Sequence, residues 1–353
     1  MTTPPGDPGP AAATAPALEV DGLSVDIELR RSTVHAVDGV SLQVHAGESV
    51  GVVGESGCGK STLGLAVAGL LPENTQTTGA VRAGGQPMTG VPDRELRALR
   101  GTKVGIVFQD PMTSLNPTKR IGVQVGETLR LQRGVGKAAA REAAAEMLDL
   151  VGLPRPRDQL DRYPHELSGG MRQRVVIASA LICEPAVLVA DEPTTALDVT
   201  TQSQILELFD DLRQRLGMAL LLITHDMGVV AGHTDRVLVM YGGQEVEMGP
   251  TPDLFTAPRH RYTEALLASI LHLETARGQA LYAISGRPPD LTARFAECRF
   301  AARCHEAQAD CRAGQPTLTG PDGHEYRCLH PADGTTRVPL TAAPRTAAAG
   351  GTP

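Results

Sequence analysis

Short runs of aliphatic and β-branched residues, punctuated by glycine and proline, dominate the first half of the chain. Leu18-Glu19-Val20, Val25-Asp26-Ile27 and Val40-Ser41-Leu42-Gln43-Val44 alternate apolar and polar positions, the period of half-buried strands. With turns at Asp21-Gly22, Asp38-Gly39 and Ala46-Gly47, they predict a small, largely antiparallel sheet. Residues 79–88 predict a further strand or hairpin, and residues 94–100 a short helix. A short β-branched run at 49–53 and apolar runs at 186–190 and 219–224 predict buried strands. Residues 103–109 predict a strand ending on the polar Gln109. From 110 to 164 the character changes: a turn-rich stretch with Pro111 and Pro117 gives way to the Ala-rich residues 137–151. There Met147, Leu148 and Val151 recur at helical spacing before Gly152 and Pro154, an amphipathic helix with a core-facing stripe. This segment reads as a helical insertion between strands of one α/β core.

Composition narrows the class. The chain has 353 residues, 41% hydrophobic and 21% charged, which suits one large globular core plus a smaller module. No apolar stretch reaches the roughly 18 residues of a membrane span. Residues 1–17, rich in Pro, Ala, Gly and Thr, lack the basic and apolar regions of a secretory signal and predict a disordered leader; residues 332–353 predict a disordered tail. A net charge of −7 without a long basic run disfavours nucleic acid as a partner. Six cysteines without an export signal point to reduced thiols or metal ligands.

The sharpest chemistry follows the 49–53 strand. Gly54-Glu55-Ser56-Gly57-Cys58-Gly59-Lys60-Ser61-Thr62 fits G-x-x-x-x-G-K-[ST], and residues 62–71 are helix-compatible up to Pro72. Strand, glycine loop and helix N-terminus in that order make an anion site, because backbone N–H groups curl around phosphate oxygens and the helix dipole adds positive potential. Lys60 would reach the β- and γ-phosphates and Ser61 would bind Mg2+. Alkylation of Cys58, inside this loop, is expected to block nucleotide binding.

A second glycine motif, Leu167-Ser168-Gly169-Gly170-Met171-Arg172-Gln173-Arg174, opens an Ala/Ile-rich helix ending at Cys183 and predicts another anion site. The 186–190 strand ends in Asp191-Glu192, one carboxylate placed to hold Mg2+ and one to polarise a water; an acidic turn would read the same way. His225 follows the 219–224 strand and by itself is as consistent with a structural residue.

In this order, the phosphate loop, Gln109, Leu-Ser-Gly-Gly at 167–170, Asp191-Glu192, Ala196-Leu197-Asp198 and His225 resemble the ATP-binding subunit of an ATP-binding cassette (ABC) transporter. The resemblance spans about residues 18–258. It implies a P-loop NTPase fold of the ABC type: a RecA-like core, an antiparallel β subdomain and a helical subdomain at about 110–183. It also implies roles. Gly54, Ser56, Gly57, Cys58, Gly59, Lys60, Ser61 and Thr62 would bind phosphate, with Ser61, Asp191 and Gln109 at Mg2+. Glu192 would be the general base, Gln109 and His225 would contact the γ-phosphate, and His35 would stack on the adenine where the family usually has an aromatic residue. Ser168, Gly169 and Gly170 would cap the ATP of an opposing subunit, with Asp198 crossing the interface. Two ATPs sandwiched head-to-tail make a nucleotide-gated clamp.

Phe108-Gln109-Asp110-Pro111-Met112-Thr113-Ser114-Leu115-Asn116-Pro117 and residues 192–200 resemble the oligopeptide/dipeptide/nickel importer branch. So does Pro258-Arg259-His260-Arg261-Tyr262-Thr263, with Arg261 where proline is usual, and Ile284-Ser285-Gly286-Arg287-Pro288-Pro289. The branch implies a second, paralogous ATPase, two transmembrane permease subunits and an extracytoplasmic binding protein, at the cytoplasmic face of the membrane. Dipeptides, oligopeptides, nickel chelates and glutathione are all compatible cargoes. A soluble ABC ATPase acting on DNA or ribosomes would carry coiled coils, inserted zinc modules or two cassettes, and a redox sensor would not need Glu192 and His225.

A C-terminal extension at 259–331 holds Cys298, Cys304, Cys311 and Cys328, separated by five, six and sixteen residues. That is neither the C-x2-C of a zinc ribbon nor the C-x2-C-x2-C of a ferredoxin, yet four thiols within 31 residues suggest a soft-metal site. Zinc, with His305 or His330 as alternative ligands, stays open. The family resemblance implies a 4Fe-4S cluster that staples an extension too poor in apolar residues to fold alone.

Overall fold

The computed structural model describes residues 15–195, 197–269, 283–321 and 323–333. Apart from 15–17 and 332–333, the expected leader and tail lie outside the described residues, as does Ala196. The chain opens with β1 (Leu18–Glu28), β2 (Thr33–Val44), β3 (Ser49–Val53), α1 (Lys60–Val67), β4 (Thr75–Ala83), β5 (Gln86–Pro87), α2 (Asp93–Leu99) and β6 (Val104–Val107). Helices follow: α3 (Pro111–Ser114), α4 (Ile121–Arg133), α5 (Lys137–Leu150), α6 (Pro156–Gln159) and α7 (Gly169–Leu181). Strands and helices then alternate through β7 (Val187–Asp191), α8 (Val199–Leu216), β8 (Ala219–Ile223), α9 (Met227–His233), β9 (Arg236–Tyr241) and β10 (Gln244–Pro250). Short helices α10 (Thr251–Thr256) and α11 (Arg261–Ala268) precede β11 (Glu325–Tyr326).

The N-terminal strands form an antiparallel sheet in the order β2-β1-β4-β5. Two of the three expected turns are bulges instead. The register runs Val20↔Leu42, Leu23↔Val40 and Val25↔Val37, so Asp21-Gly22 and Asp38-Gly39 each add one residue without reversing the chain. Gly22 and Gly39 take positive φ, 54° and 67°, which serves a bulge as well as a turn. Local sequence cannot separate the two outcomes; the apolar partners on both sides can. Val20, Leu23, Val25, Val37, Val40 and Leu42 are all buried, so continuing the strand keeps one face in the core.

The second sheet has the order β11-β10-β9-β3-β8-β7-β6, parallel from β9 to β6 and antiparallel at β10 and β11. β3 and β8 are buried at every residue, as expected of parallel strands covered on both faces. Their C-terminal ends, with that of β7, deliver the phosphate loop, Asp191-Glu192 and His225 to one edge, where ligands of open α/β sheets bind.

Helices α4, α5 and α7 share one core, with Ile121, Val125 and Leu129 of α4 meeting Ala144 and Leu148 of α5 and Val175 of α7. The expected stripe of Met147, Leu148 and Val151 is buried there. Helix α4 is not legible locally: Ile121-Gly122-Val123-Gln124-Val125-Gly126 alternates like a strand and two glycines lower helix propensity.

Among the described residues, the buried side chains of the C-terminal segment share a core with β3, β9 and β10. Tyr241 of β9, Tyr262 of α11 and Phe300 are buried with ring centroids 4.5–5.4 Å apart, and β11 extends the main sheet. The fully buried Glu247 of β10 accepts from the backbone N–H groups of Arg259 and His260, at 2.7 and 2.8 Å, and pairs with His324 at 2.8 Å. Arg261, at the start of α11, donates to the carbonyls of His330 and Pro331, fastening the stretch after Cys328. Among the described residues no helix is long and apolar enough to cross a membrane.

Candidate active site

The loop between β3 and α1 lies in close backbone contact with β9 and β2. Gly54 and Gly59 have φ of 150° and 103°, and a Cβ on either would lie 2.2 Å from a carbonyl oxygen, of Met240 and Ala36 respectively. Only glycine fits at those two points. The Lys60 side chain is buried, and its Nζ donates to the carbonyls of Gly54 at 2.7 Å and Glu55 at 3.0 Å. The loop therefore holds its cation at its own centre, beside the N-terminus of α1 where Ser61 and Thr62 begin the first turn. Ser56 and Gly57 complete the exposed rim of the loop.

Cys58 is placed differently from what its position suggests. Its side chain is 5% exposed, belongs to the core beneath the loop, and burial pushes its thiol above the usual range despite Lys60 nearby. The thiol is thus turned away from the rim and kept protonated, so the alkylation expected from sequence will be slow.

Ser61 Oγ donates to Asp191 Oδ1 at 3.2 Å, bringing two of the three expected Mg2+ ligands together across the loop and β7, while the third, Gln109, is hydrogen-bonded to Glu192. Burial pushes the Asp191 carboxyl up and the Ser61 hydroxyl bond opposes it. One residue on, Glu192 adopts a left-handed backbone, φ 46°, while its N–H still donates to the Ile223 carbonyl at 2.8 Å. A non-glycine residue held there is strained, and such strain gathers at functional sites. The Glu192 carboxylate receives Gln109 Nε2 and Thr195 Oγ1, both at 2.9 Å, and lies 3.1 Å from His225 Nδ1. Gln109 ends the β6 segment, His225 follows β8 and Thr195 follows β7, so three elements converge on one acid. A carboxylate so held, next to a serine–aspartate pair and a phosphate loop, can orient and deprotonate a water beside a Mg2+-bound triphosphate. Thr195 has no signal in the spacing; only its hydrogen bond reveals it.

Ser168 caps α7, its Oγ accepting from the Met171 N–H at 3.3 Å. Asp198 caps α8, accepting from the Thr201 N–H at 3.0 Å and the Thr201 hydroxyl at 2.7 Å, which hold its carboxyl below the usual range. The two caps are neighbours. A Cβ on Gly170 would lie 2.7 Å from Thr201 Cγ2 and one on Gly169 3.7 Å from Leu197. The structure thus joins the second glycine motif to the segment after Glu192 in one surface.

His35 sits on β2, and its Nδ1 lies 2.6 Å from Asp26 Oδ1. The other Asp26 oxygen accepts from Arg294 at 3.2 Å, and the His35 N–H donates to the Leu291 carbonyl at 2.8 Å. The imidazole edge is committed to Asp26, and the side chain is 16% exposed.

Cys298, Cys304, Cys311 and Cys328 line one small pocket with His260 and His330. Burial pushes the thiols of Cys298, Cys304 and Cys328 up, Cys304 to about 11. Among the described residues the one group of three ligand atoms within 4.8 Å of one another is Asp310, Cys311 and His330, with His330 Nε2 2.9 Å from the carboxylate. The four sulfurs share a pocket without closing to the roughly 3.8 Å edges that a tetrahedron of 2.3 Å zinc–sulfur bonds requires. His305 is directed elsewhere, 3.9 Å from Glu306.

Comparison with known proteins gives this arrangement a context. Residues 37–195 match the ABC transporter family and residues 246–311 the oligopeptide/dipeptide transporter C-terminal region. The chain is 46% identical over 314 residues to the dipeptide transport ATP-binding protein DppD of Bacillus subtilis, covering 88% of this chain and 93% of that protein. It is 44% identical over 316 residues to the oligopeptide transport ATP-binding protein OppD of Salmonella typhimurium, covering 90% and 94%. Among solved structures, a dimeric ATP-binding cassette in a post-hydrolysis state with ADP and phosphate superposes with a TM-score of 0.59 at 29% identity, covering 66% of this chain and 98% of that one. CbiO1 of Clostridium perfringens, part of an ABC transporter complex, gives 0.58 at 28% identity over 68% and 91%. With the phosphate loop, the acid pair and the C-terminal region all accounted for, the chain belongs to the ABC transporter ATP-binding subunits, in the branch that carries the oligopeptide/dipeptide transporter C-terminal region.

Proposed function

We propose that this ATPase powers the import of di- and oligopeptides, working with transmembrane permeases and a substrate-binding protein. The observation that carries the hydrolytic step is Glu192, gripped by Gln109, Thr195 and His225 beside the Ser61–Asp191 pair. In this reading residues 54–62 bind the phosphates, Lys60 draws charge from the β- and γ-oxygens, and Ser61, Asp191 and Gln109 surround Mg2+. Glu192 takes the proton of the attacking water, and His225 and Gln109 report the γ-phosphate. Ser168, Gly169, Gly170 and Asp198 face the ATP of a second ATPase subunit, a paralogue by the family's habit, and His35 stacks on the base.

Gln109 also lines a groove between the main sheet and the helical layer, where Phe108 and Leu131 are 39% and 77% exposed. An exposed apolar rim next to the γ-phosphate sensor supports docking of a permease segment there, on the cytoplasmic face, so that closure of the ATP sandwich moves the permease. The dipeptide and oligopeptide transport relatives support peptide as cargo, with nickel the second reading.

The gathering of Cys298, Cys304, Cys311 and Cys328 in one pocket is compatible with a 4Fe-4S cluster, with zinc as the alternative. Cys298, Cys304, Cys311 and Cys328 would hold it, and when bound it would supply a covalent staple to the segment around Phe300. Asp310, Cys311 and His330 are the competing mononuclear site.

The test is Glu192→Gln in the assembled transporter. Hydrolysis should fall at least about 100-fold, with ATP binding retained and labelled-peptide uptake abolished. Hydrolysis at the parent rate would remove Glu192 from its role, and uptake of nickel but not peptide by the parent would overturn the cargo.

A further inference from the structure

Every polar group of Glu55, the second residue of the phosphate loop, is engaged. Its N–H donates to the Tyr262 hydroxyl at 2.8 Å. Its carbonyl accepts from Lys60 Nζ at 3.0 Å and from the Cys58 N–H at 3.3 Å. Its carboxylate receives both terminal nitrogens of Arg303, at 2.6 and 2.9 Å. Arg303 is 6% exposed and also donates to the Ile284 and Ser285 carbonyls and the Tyr241 hydroxyl, so its fork has little freedom to leave. Tyr262 and Arg303 both belong to the C-terminal segment. Arg303 immediately precedes Cys304, and both N–H groups donate to the Phe300 carbonyl at 2.9 Å.

A carboxylate in a loop that must accept a triphosphate is an electrostatic liability. Unpaired, Glu55 would repel the incoming phosphates and compete with them for Lys60, from which its own backbone is one hydrogen bond away. A bidentate guanidinium both cancels that charge and fixes its direction. Phosphate loops need their backbone preorganised before the anion arrives, and here the organising groups come from the far end of the chain.

We propose that Arg303 is a positioning residue for ATP: acting through Glu55, it neutralises that carboxylate and holds it away from Lys60 and the phosphates, so the cysteine-bearing segment is part of the nucleotide site of its own chain. This rests on the phosphate loop being the ATP site, as read above. The pair predicts a distinctive sign pattern. Losing Arg303 alone harms binding, and losing both charges does not.

The experiment is equilibrium binding of a fluorescent ATP analogue and its ADP counterpart, with Mg2+, to the full chain, alongside melting temperatures. Arg303→Gln should raise Kd for ATP about 10-fold, more than for ADP, with Arg303→Lys intermediate. Glu55→Gln/Arg303→Gln should return Kd to within about twofold of the parent. Lys60→Ala serves as the control. If it binds like the parent, the ATP-site reading fails and the proposal with it. If Lys60→Ala abolishes binding but Arg303→Gln leaves Kd unchanged, or adding Glu55→Gln brings no recovery, the proposal alone is overturned. Should Arg303→Gln not fold, Arg303→Lys and the double variant still decide the sign.

Discussion

Gln109 and Glu192 are 83 positions apart in sequence, yet the amide of the first donates to the carboxylate of the second at 2.9 Å. The residue at the edge of the sheet–helix groove is thereby in direct contact with the acid read as the base of hydrolysis. A movement of the segment after β6 cannot occur without changing the surroundings of that acid. Gln109→Ala should therefore slow ATP hydrolysis about 10-fold, the equivalent of ~1.4 kcal/mol in the barrier, while leaving ATP affinity within about threefold. Steady-state hydrolysis and equilibrium binding on the same preparation check this. A tenfold loss of affinity with an unchanged turnover would contradict it.

Gly59 bears on Ala36, the neighbour of His35. A side chain at 59 would put its Cβ 2.2 Å from the Ala36 carbonyl, at a φ of 103° that L-residues rarely adopt. Gly59→Ala should lower stability by about 2–4 kcal/mol and abolish detectable nucleotide binding, because loop and strand must separate to admit the methyl. Thermal unfolding monitored by circular dichroism, with and without Mg-ATP, measures both effects. A melting temperature equal to the parent's would show that the contact is looser than its geometry.

Cys58 should be among the slowest thiols of the folded chain to alkylate. Its burial and raised pKa leave little thiolate at neutral pH, where an exposed cysteine reacts freely. Mass-spectrometric mapping after timed N-ethylmaleimide treatment of the native protein reads this directly. Rapid labelling of Cys58 that Mg-ATP suppresses would mean the sulfur lies on the rim of the loop instead.

His260 gives a pH dependence with a defined sign. Completely buried, it accepts the Tyr262 N–H on Nδ1 at 3.0 Å, and burial lowers its pKa from 6.5 to about 4. The depressed pKa means that between about pH 6.5 and 4 the unfolded chain binds a proton that the folded chain does not. Stability is therefore full above 6.5 and declines as the pH falls through that window, by up to about 3 kcal/mol from this group. Denaturant unfolding at pH 7.5 and pH 5 should show the decline, and His260→Asn, which keeps an acceptor without a titrating ring, should flatten it. An equal decline in the variant would assign the effect to other groups.

Much of the site can be read from sequence because its parts make local demands on the backbone. A strand, a glycine-rich loop and Lys60-Ser61 impose positive φ and an exposed helix N-terminus within a dozen residues. The Gly-Gly turn after Ser168 likewise announces a helix start, and an unbroken apolar run ending in Asp191-Glu192 announces the end of a buried strand. The family membership follows from the order of these local signals, and relatives with 44–46% identity agree with it.

Tertiary structure decided what lies beyond a few residues' reach. Asp21-Gly22 and Asp38-Gly39 carry turn chemistry, and it was the pairing of Val20, Leu23 and Val25 with Leu42, Val40 and Val37 that made them bulges. The spacing of six cysteines says nothing of which face each sulfur takes, and packing sent Cys58 inward while four others came to one pocket. Thr195 on Glu192 and, across 248 positions, Arg303 on Glu55 leave no periodic trace. Propensity and periodicity act between neighbours along the chain, whereas a hydrogen bond across the fold depends on where whole elements settle once their apolar faces are buried.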